Sequence, residues 1–198
     1  MSADPWDQWA AMYQSRGVKQ FVRDGCGPEY GSAPRRVLFV LKEPRGTQWK
    51  DVREQLAKPP RDMWHALARW AYGILKGLPE GFPPYGSIGP AERQWALQRI
   101  AVINLKKEGG GRNADDSVLH AVAHRDRDIL RAQVTAVAPE IVIACGTFNQ
   151  LVWLLDLESD PAGPHAVPRV VSFRHPAQSH GPKDYRRLET LVSPLLTR

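Results

Sequence analysis

The sequence has few cysteines and no long apolar run. Two cysteines, Cys26 and Cys145, are too few for an iron–sulfur cluster or a thiolate-held structural zinc ion, and we expect neither a metal nor another cofactor. A disulfide between them remains open, although a reducing compartment favours two free thiols. No apolar run reaches the roughly 18 to 20 residues that cross a bilayer, and the N-terminus lacks the apolar segment of a secretory signal. These absences predict a cytoplasmic protein without membrane contact.

Positive charge exceeds negative charge in this chain. It contains 27 Lys and Arg against 21 Asp and Glu, which gives a formal net charge of +6. The excess favours polyanionic partners and is compatible with nucleic acid. The length of 198 residues fits one domain over 1–198, since a domain takes roughly 150 residues, and we expect a monomer.

Short apolar runs alternate with helical patterns along the chain. Continuous apolar runs predict strands buried on both faces at 36–41, 100–105, 140–145 and 169–173. Apolar residues spaced three and four apart predict helices over 61–76, 115–139, 147–157 and 184–196. The alternation predicts an α/β fold, a three-layer α/β/α domain with a four-stranded, mainly parallel central sheet. A stretch rich in Gly and Pro at 76–90 predicts a surface loop.

Polar residues follow three of the four predicted strands. Glu43 follows the first, Asn104 ends the second, and His175 follows the fourth. Ligands of open parallel sheets bind beyond the carboxyl ends of the strands, so these residues are candidates for one site. A carboxylate can position or activate water, an imidazole can donate to a leaving group, and an amide suits a nucleobase edge. Each of the three taken alone is better explained by a structural role, and only their combination favours a functional site.

The sequences around these residues resemble the uracil-DNA glycosylase superfamily in their order. The resemblance is carried by LKEPRG, VINLKK, IVIACG and RHPAQSH, which follow or end the four predicted strands in turn. It implies that Glu43 stands where an Asp or Asn activates water, and that Asn104 reads a pyrimidine edge. It implies further that His175 stabilises the departing base as a neutral imidazole. Phe82 or Tyr85, in the predicted loop, would stack on the base as an aromatic does in the family.

The resulting hypothesis is a cofactor-free DNA glycosylase acting on a deaminated or modified base. Cleavage of the N-glycosidic bond develops positive charge on the sugar and negative charge on the base, which Glu43 and His175 would oppose. Access to the base requires flipping or a single-stranded substrate. Basic and polar residues of the same loops are expected to bind the nucleic acid: Arg45, Lys106, Lys107, Arg174, Gln178, Ser179, His180 and Lys183.

Two alternatives to the glycosylase hypothesis remain open. Leu41 stands where the family has Gly, and Ala177 replaces the Ser of the last motif. These departures are compatible with a catalytically silent module that keeps the fold and binds a base or nucleotide. The other alternative is an α/β hydrolase of small nucleosides, which would act on a free nucleoside and be indifferent to added DNA.

Overall fold

A five-stranded sheet forms the centre of the molecule. The computed structural model describes residues 5–46, 51–77, 81–111, 114–155 and 168–196. The strands in these ranges are β1 (Gly25–Cys26), β2 (Val37–Leu41), β3 (Ala101–Asn104), β4 (Ile141–Cys145) and β5 (Arg169–Phe173). Their order across the sheet is β1-β3-β2-β4-β5, with β1 antiparallel to β3 and all other pairs parallel.

The strand count corrects the sequence prediction from four strands to five. The four predicted strands are the parallel ones, and every residue of β2, β3 and β4 is buried, as their continuous apolar runs require. The additional strand, β1, is two residues long and contains a glycine. So short a segment carries no periodic pattern, and only its pairing with β3 defines it as a strand.

Helices cover both faces of the sheet and create two apolar cores. One core contains side chains of α2 (Arg53–Leu56), α3 (Met63–Lys76), α4 (Pro90–Gln98) and α8 (Pro182–Leu196). The other contains side chains of α1 (Pro5–Ser15), α5 (Asp116–Arg125), α6 (Arg127–Val137) and α7 (Phe148–Leu154). The three-layer α/β/α architecture is thus observed. Within the described ranges no helix is long and apolar enough to span a membrane.

The predicted helix over 115–139 is two helices, α5 and α6, that meet at Asp126. Asp115 begins α5 by accepting hydrogen bonds from the main-chain nitrogens of Ser117 and Val118. Asp126 is buried, and its carboxylate accepts hydrogen bonds from Arg16 at 2.7 Å and Arg125 at 2.8 Å. The break places this carboxylate inside the molecule, where its two guanidinium partners compensate for the loss of water.

The strand order places a topological switch point between β2 and β4. The chain passes from β2 to β3 on one side and then returns to β4 on the other side of β2. Connections therefore leave the carboxyl ends of β2 and β4 in opposite directions, which is the place where open α/β sheets bind their ligands. Lys42 and Glu43 follow β2 at this point, and Gly146 and Thr147 follow β4.

Candidate functional site

The segments that follow β2 and β3 remain paired beyond the ends of the strands. The main-chain nitrogen of Lys106 donates to the carbonyl of Lys42 at 3.0 Å. Gly110 donates to the carbonyl of Pro44 at 2.8 Å and accepts from Gly46 at 3.1 Å. These bonds hold the Glu43 segment firmly against the glycine triplet at 109–111.

Glu43 lies inside this paired region, against a lysine and a glycine. Its Oε2 accepts from Lys106 Nζ at 2.7 Å, and the two side chains are only 11% and 14% exposed. A Cβ atom added to Gly110 would overlap the Glu43 carboxylate, which would then have to move. Lys106 and Gly110 together restrict the space open to the carboxylate. The sequence showed the triplet but not the carboxylate that it accommodates.

His175 begins the short 3₁₀ turn Pro176–Gln178 after β5, and its ring is held by the backbone. The main-chain nitrogen of Ala177 donates to His175 Nδ1 at 3.3 Å. Burial lowers the pKa of His175, and the positive charge of Lys42 lowers it further. The ring is therefore neutral near pH 7, and with Nδ1 acting as acceptor its proton is carried by Nε2.

Lys42 lies between the first residue of α5 and the glycine that follows β4. Its Nζ lies 2.6 Å from Asp116 Oδ1, and its Cε atom lies 3.2 Å from the position of a Cβ on Gly146. Gly146 has a φ of +71°, a conformation that favours glycine. Lys42 was not among the candidate site residues in the sequence, where its only signal was its place directly after β2. The structure thus brings Lys42, Glu43 and His175 to the same edge of the sheet.

Asn104 belongs to a different environment at the end of β3. Its main-chain nitrogen and Nδ2 donate to Asp24 Oδ2 at 2.7 Å and 3.3 Å, and the residue is 2% exposed. Its amide is therefore engaged in the interior and does not join Glu43 and His175. Reading of a base edge by Asn104 gains no support from this arrangement.

Asp24, Asn104, Lys107 and Gln133 form a group that we call the buried network. Lys107 Nζ lies 2.9 Å from both Asp24 carboxylate oxygens and 2.8 Å from Gln133 Oε1. Gln133 Nε2 donates to Asp24 Oδ1 at 2.7 Å. Burial lowers the pKa of Lys107, and the carboxylate of Asp24 acts in the opposite direction. Asp24 was not recognised in the sequence, where it is one isolated acid.

The prediction that Lys107 binds nucleic acid is wrong. The residue is completely buried, and its Nζ lies 5.5 Å and 5.0 Å from the ring centres of Trp6 and Trp9. A lysine enclosed in this way cannot reach a phosphate group. Its charge is instead compensated by Asp24 and the faces of two indole rings.

Phe82 and Tyr85 both pack against helix α8. The ring of Phe82 occupies the space left by Gly73 of α3 and lies 5.2 Å from the ring of Tyr185. Tyr85 makes an edge contact with Tyr185 at 5.6 Å, and the Arg69 guanidinium lies 4.7 Å from the centre of its ring. Phe82 is therefore engaged in helix packing, and the structure offers no support for base stacking by it. Stacking by the half-buried Tyr85 stays a prediction.

The other predicted nucleic-acid contacts differ in exposure. Arg174 is paired with Asp184 at 3.3 Å, and Ser179 Oγ accepts from the main chain of Gly181 at 3.2 Å. Lys106 is occupied by Glu43. Four of the predicted residues are exposed: Arg45, Gln178, His180 and Lys183. These four keep the ability to contact a polyanion.

The fold and the site define a three-layer α/β/α domain with a carboxylate beside its switch point and an imidazole after the edge strand β5. No protein-family model matches the sequence, and no curated protein matches it. The function is therefore argued from the chemistry of these side chains.

Proposed function

We propose that this protein is a DNA glycosylase-like hydrolase that cleaves the N-glycosidic bond of a deaminated or modified base. One observation carries the proposal: Glu43 and His175 follow two parallel strands, β2 and β5, at the same carboxyl edge of the sheet, and burial lowers the pKa of His175. A neutral imidazole with its proton on Nε2 is a hydrogen-bond donor, and a carboxylate opposes positive charge. These are the two groups that this bond cleavage requires.

Each group acts on a different part of the reaction. As the bond between C1′ and the base nitrogen lengthens, its electron pair moves to the base and the sugar becomes positively charged. The Glu43 carboxylate orients water towards C1′ and stabilises the charge on the sugar. The His175 N–H donates a hydrogen bond to the departing base. Water supplies the hydroxyl group to C1′, and its proton leaves with the base.

The surroundings of the two side chains favour these roles. Lys106 and Gly110 restrict the movement of the Glu43 carboxylate, which reduces the reorganisation that accompanies the reaction. Burial keeps His175 neutral, so it donates without bringing a second positive charge near the developing charge on the sugar. The net charge of +6 and the exposed side chains Arg45 and Lys183 suit a DNA strand as the substrate. The protein is proposed to act as a cytoplasmic monomer.

Abasic-site formation is the direct test of this proposal. Purified folded protein is incubated with single- and double-stranded oligonucleotides that contain uracil, hypoxanthine or other modified bases. At least one substrate is expected to be cleaved, and Glu43→Gln or His175→Gln should each lower the rate by about 10² to 10⁴. Glu54→Gln and His120→Gln are matched controls on exposed helix surfaces and should leave the rate unchanged. Absence of product on every substrate rejects the proposal.

A silent binding module is the second candidate. The observation that favours it is the enclosure of Glu43, whose carboxylate is already paired with Lys106 and is 11% exposed. Such a module would bind a base or nucleotide saturably, and binding would survive Glu43→Ala and His175→Ala. The enzyme would lose turnover in both variants, so the same two substitutions distinguish the candidates. Turnover of a free nucleoside that added DNA does not affect would instead indicate a nucleoside hydrolase.

A further inference from the structure

Two half-buried arginines lie close together between α3 and α4. Arg93 Nη1 donates to His65 Nδ1 at 2.8 Å, and Arg93 Nε donates to the carbonyl of Gly89 at 3.1 Å. The Arg69 guanidinium lies 4.7 Å from the centre of the Tyr85 ring. We call Arg69, Arg93 and His65, with the Tyr85 ring beside them, the arginine cluster. Of these four residues only Tyr85 was a candidate in the sequence, and there for base stacking.

The arginine cluster has no ion-pair partner in the part of the chain that the structure describes. Neither Arg69 nor Arg93 has a carboxylate oxygen within salt-bridge distance there, and Arg69 Nε is buried without a hydrogen-bond acceptor. Burial and then the neighbouring Arg69 lower the pKa of Arg93. The pKa of His65 is lowered by burial and by both arginines. The two guanidinium groups therefore repel each other in a partly desolvated site.

This arrangement is suited to an anion. Glu92 offsets part of the charge of Arg93, but it forms no ion pair with either arginine, and an anion placed between the two guanidinium groups would reduce their repulsion and supply the missing acceptor of Arg69 Nε. Guanidinium groups donate in pairs to phosphate oxygens, which makes Arg the preferred residue for phosphate recognition. His65 accepts from Arg93 through Nδ1, so in its neutral form it carries a proton on Nε2. This N–H adds an imidazole donor to the two guanidinium groups.

The arginine cluster adjoins the loop that carries His175. Helix α3, which contains Arg69, packs against the turn Pro176–Gln178. The hydroxyl oxygen of Tyr85 lies 3.6 Å from the position of a Cβ on Gly181, in the same loop. A strand whose base lay at the proposed site would therefore pass near the arginines.

We propose that Arg69 and Arg93, with His65 beside them, bind a backbone phosphate of the nucleic acid strand whose base is presented to Glu43 and His175. The assignment of the anion to a strand rests on the proposed function, whereas the anion site itself rests on the cluster. Stacking of Arg69 on Tyr85 fixes the guanidinium plane, so the phosphate would meet an already oriented donor.

Salt-dependent binding of an undamaged oligonucleotide tests the proposal without requiring catalysis. Fluorescence anisotropy is measured with a labelled single strand for wild type, Arg69→Gln and Arg93→Gln. Each variant is expected to bind about tenfold more weakly, and the slope of log K against log salt should fall by about 0.7 for one lost phosphate contact. Arg36→Gln is the matched control, because Arg36 is half-exposed at the amino end of β2, on the opposite edge of the sheet.

Two further measurements separate a binding effect from a folding effect. Arg93→Lys keeps the charge but loses the paired donors, so it should retain the salt slope of wild type and bind more weakly. Inorganic phosphate at constant ionic strength should raise the Tm of wild type more than that of Arg93→Gln. The site is supported if Arg93→Gln is folded without ligand, binds the oligonucleotide more weakly than wild type and gains less in Tm from phosphate.

The outcomes distinguish this proposal from the proposed function. Weakened binding in Arg69→Gln and Arg93→Gln supports the anion site even if no substrate yields an abasic site. Unchanged binding in both variants overturns the anion site even if wild type is an active glycosylase. If a free nucleoside monophosphate binds the cluster as tightly as the strand does, the assignment to a strand backbone is overturned.

Discussion

Lys106 and Lys107 are neighbours in the sequence and have opposite environments. Lys106 points to the edge of the sheet and pairs with Glu43 at 2.7 Å. Lys107 points into the interior, where its ammonium group is completely buried and bound by Asp24 and Gln133. One lysine is therefore part of the candidate site and the other part of the buried network.

The backbone after β3 explains the difference. Its main chain is bonded on two sides: Lys106 donates to Lys42, and the carbonyl of Lys107 accepts from Val22 at 2.9 Å. From this backbone the Lys106 side chain reaches Glu43, whereas the Lys107 side chain reaches Asp24 in the interior. The buried network compensates the charge of Lys107 and anchors the segment that presents Lys106 to Glu43. Lys107 therefore supports the candidate site indirectly: its buried ion pair with Asp24 fixes the backbone from which Lys106 reaches Glu43.

Loss of the Asp24 carboxylate should lower the free energy of unfolding more than any other change proposed for the two lysine environments. Asp24→Ala leaves the Lys107 ammonium buried without a counter-charge, and we expect the free energy of unfolding to fall by about 3 to 5 kcal/mol. Urea denaturation followed by tryptophan fluorescence measures the change. Glu140→Gln is the control, since it removes an exposed partner of Arg36 and should cost at most about 1 kcal/mol.

A double variant sharpens the same prediction. Asp24→Leu combined with Lys107→Met removes both charges, and it should recover a large part of the stability lost in Asp24→Ala, because an apolar pair needs no compensation. A small loss in Asp24→Ala, comparable to that of the control, would show that Lys107 does not depend on its partner.

A methyl group at Gly110 should give the next largest loss of stability. The disturbance is expected at Glu43, at the carboxyl edge of the sheet, and not in the buried network. Gly110→Ala places a Cβ on the Glu43 carboxylate, so the carboxylate must move and its ion pair with Lys106 is disturbed, at a cost of about 1 kcal/mol. Gly111→Ala is the matched control, because a Cβ there meets nothing within 4 Å. Thermal unfolding and abasic-site formation are measured together. Equal behaviour of the two variants would contradict the close approach of Gly110 to Glu43.

The pH dependence of stability should give the smallest effect, because His175 is only half-buried. Its pKa is lowered in the folded protein by burial and by Lys42, so the unfolded chain binds more protons near its ordinary pKa of about 6.5. The contribution of neutral His175 to the free energy of unfolding is therefore complete above about pH 6.5 and is lost as the pH falls below that value. His175→Gln should lose less stability than wild type between pH 7 and pH 5.

Urea titrations of both proteins across that range measure the difference. His65 has a lowered pKa as well and contributes with the same sign, so some pH dependence should remain in His175→Gln. Identical pH profiles for the two proteins would mean that His175 is not held neutral.

The parallel strands and most helices were predictable because burial leaves a local pattern. Strands β2, β3 and β4 are buried on both faces, so each is a continuous apolar run. The strand β1 and the break at Asp126 were not predictable, since the first is two residues long and the second depends on Arg16, which is 110 residues away in the sequence.

The sequence by itself determined which side chains follow which strand, and hence that Glu43 and His175 lie at the carboxyl edge of the sheet. Only the tertiary structure decided which charges are paired. Lys107 meets Asp24 across 83 residues, Glu43 meets Lys106 across 63, and Arg93 meets His65 across 28. The physical reason is that local periodicity records the burial of each residue, whereas the partner of a charge depends on where the chain returns.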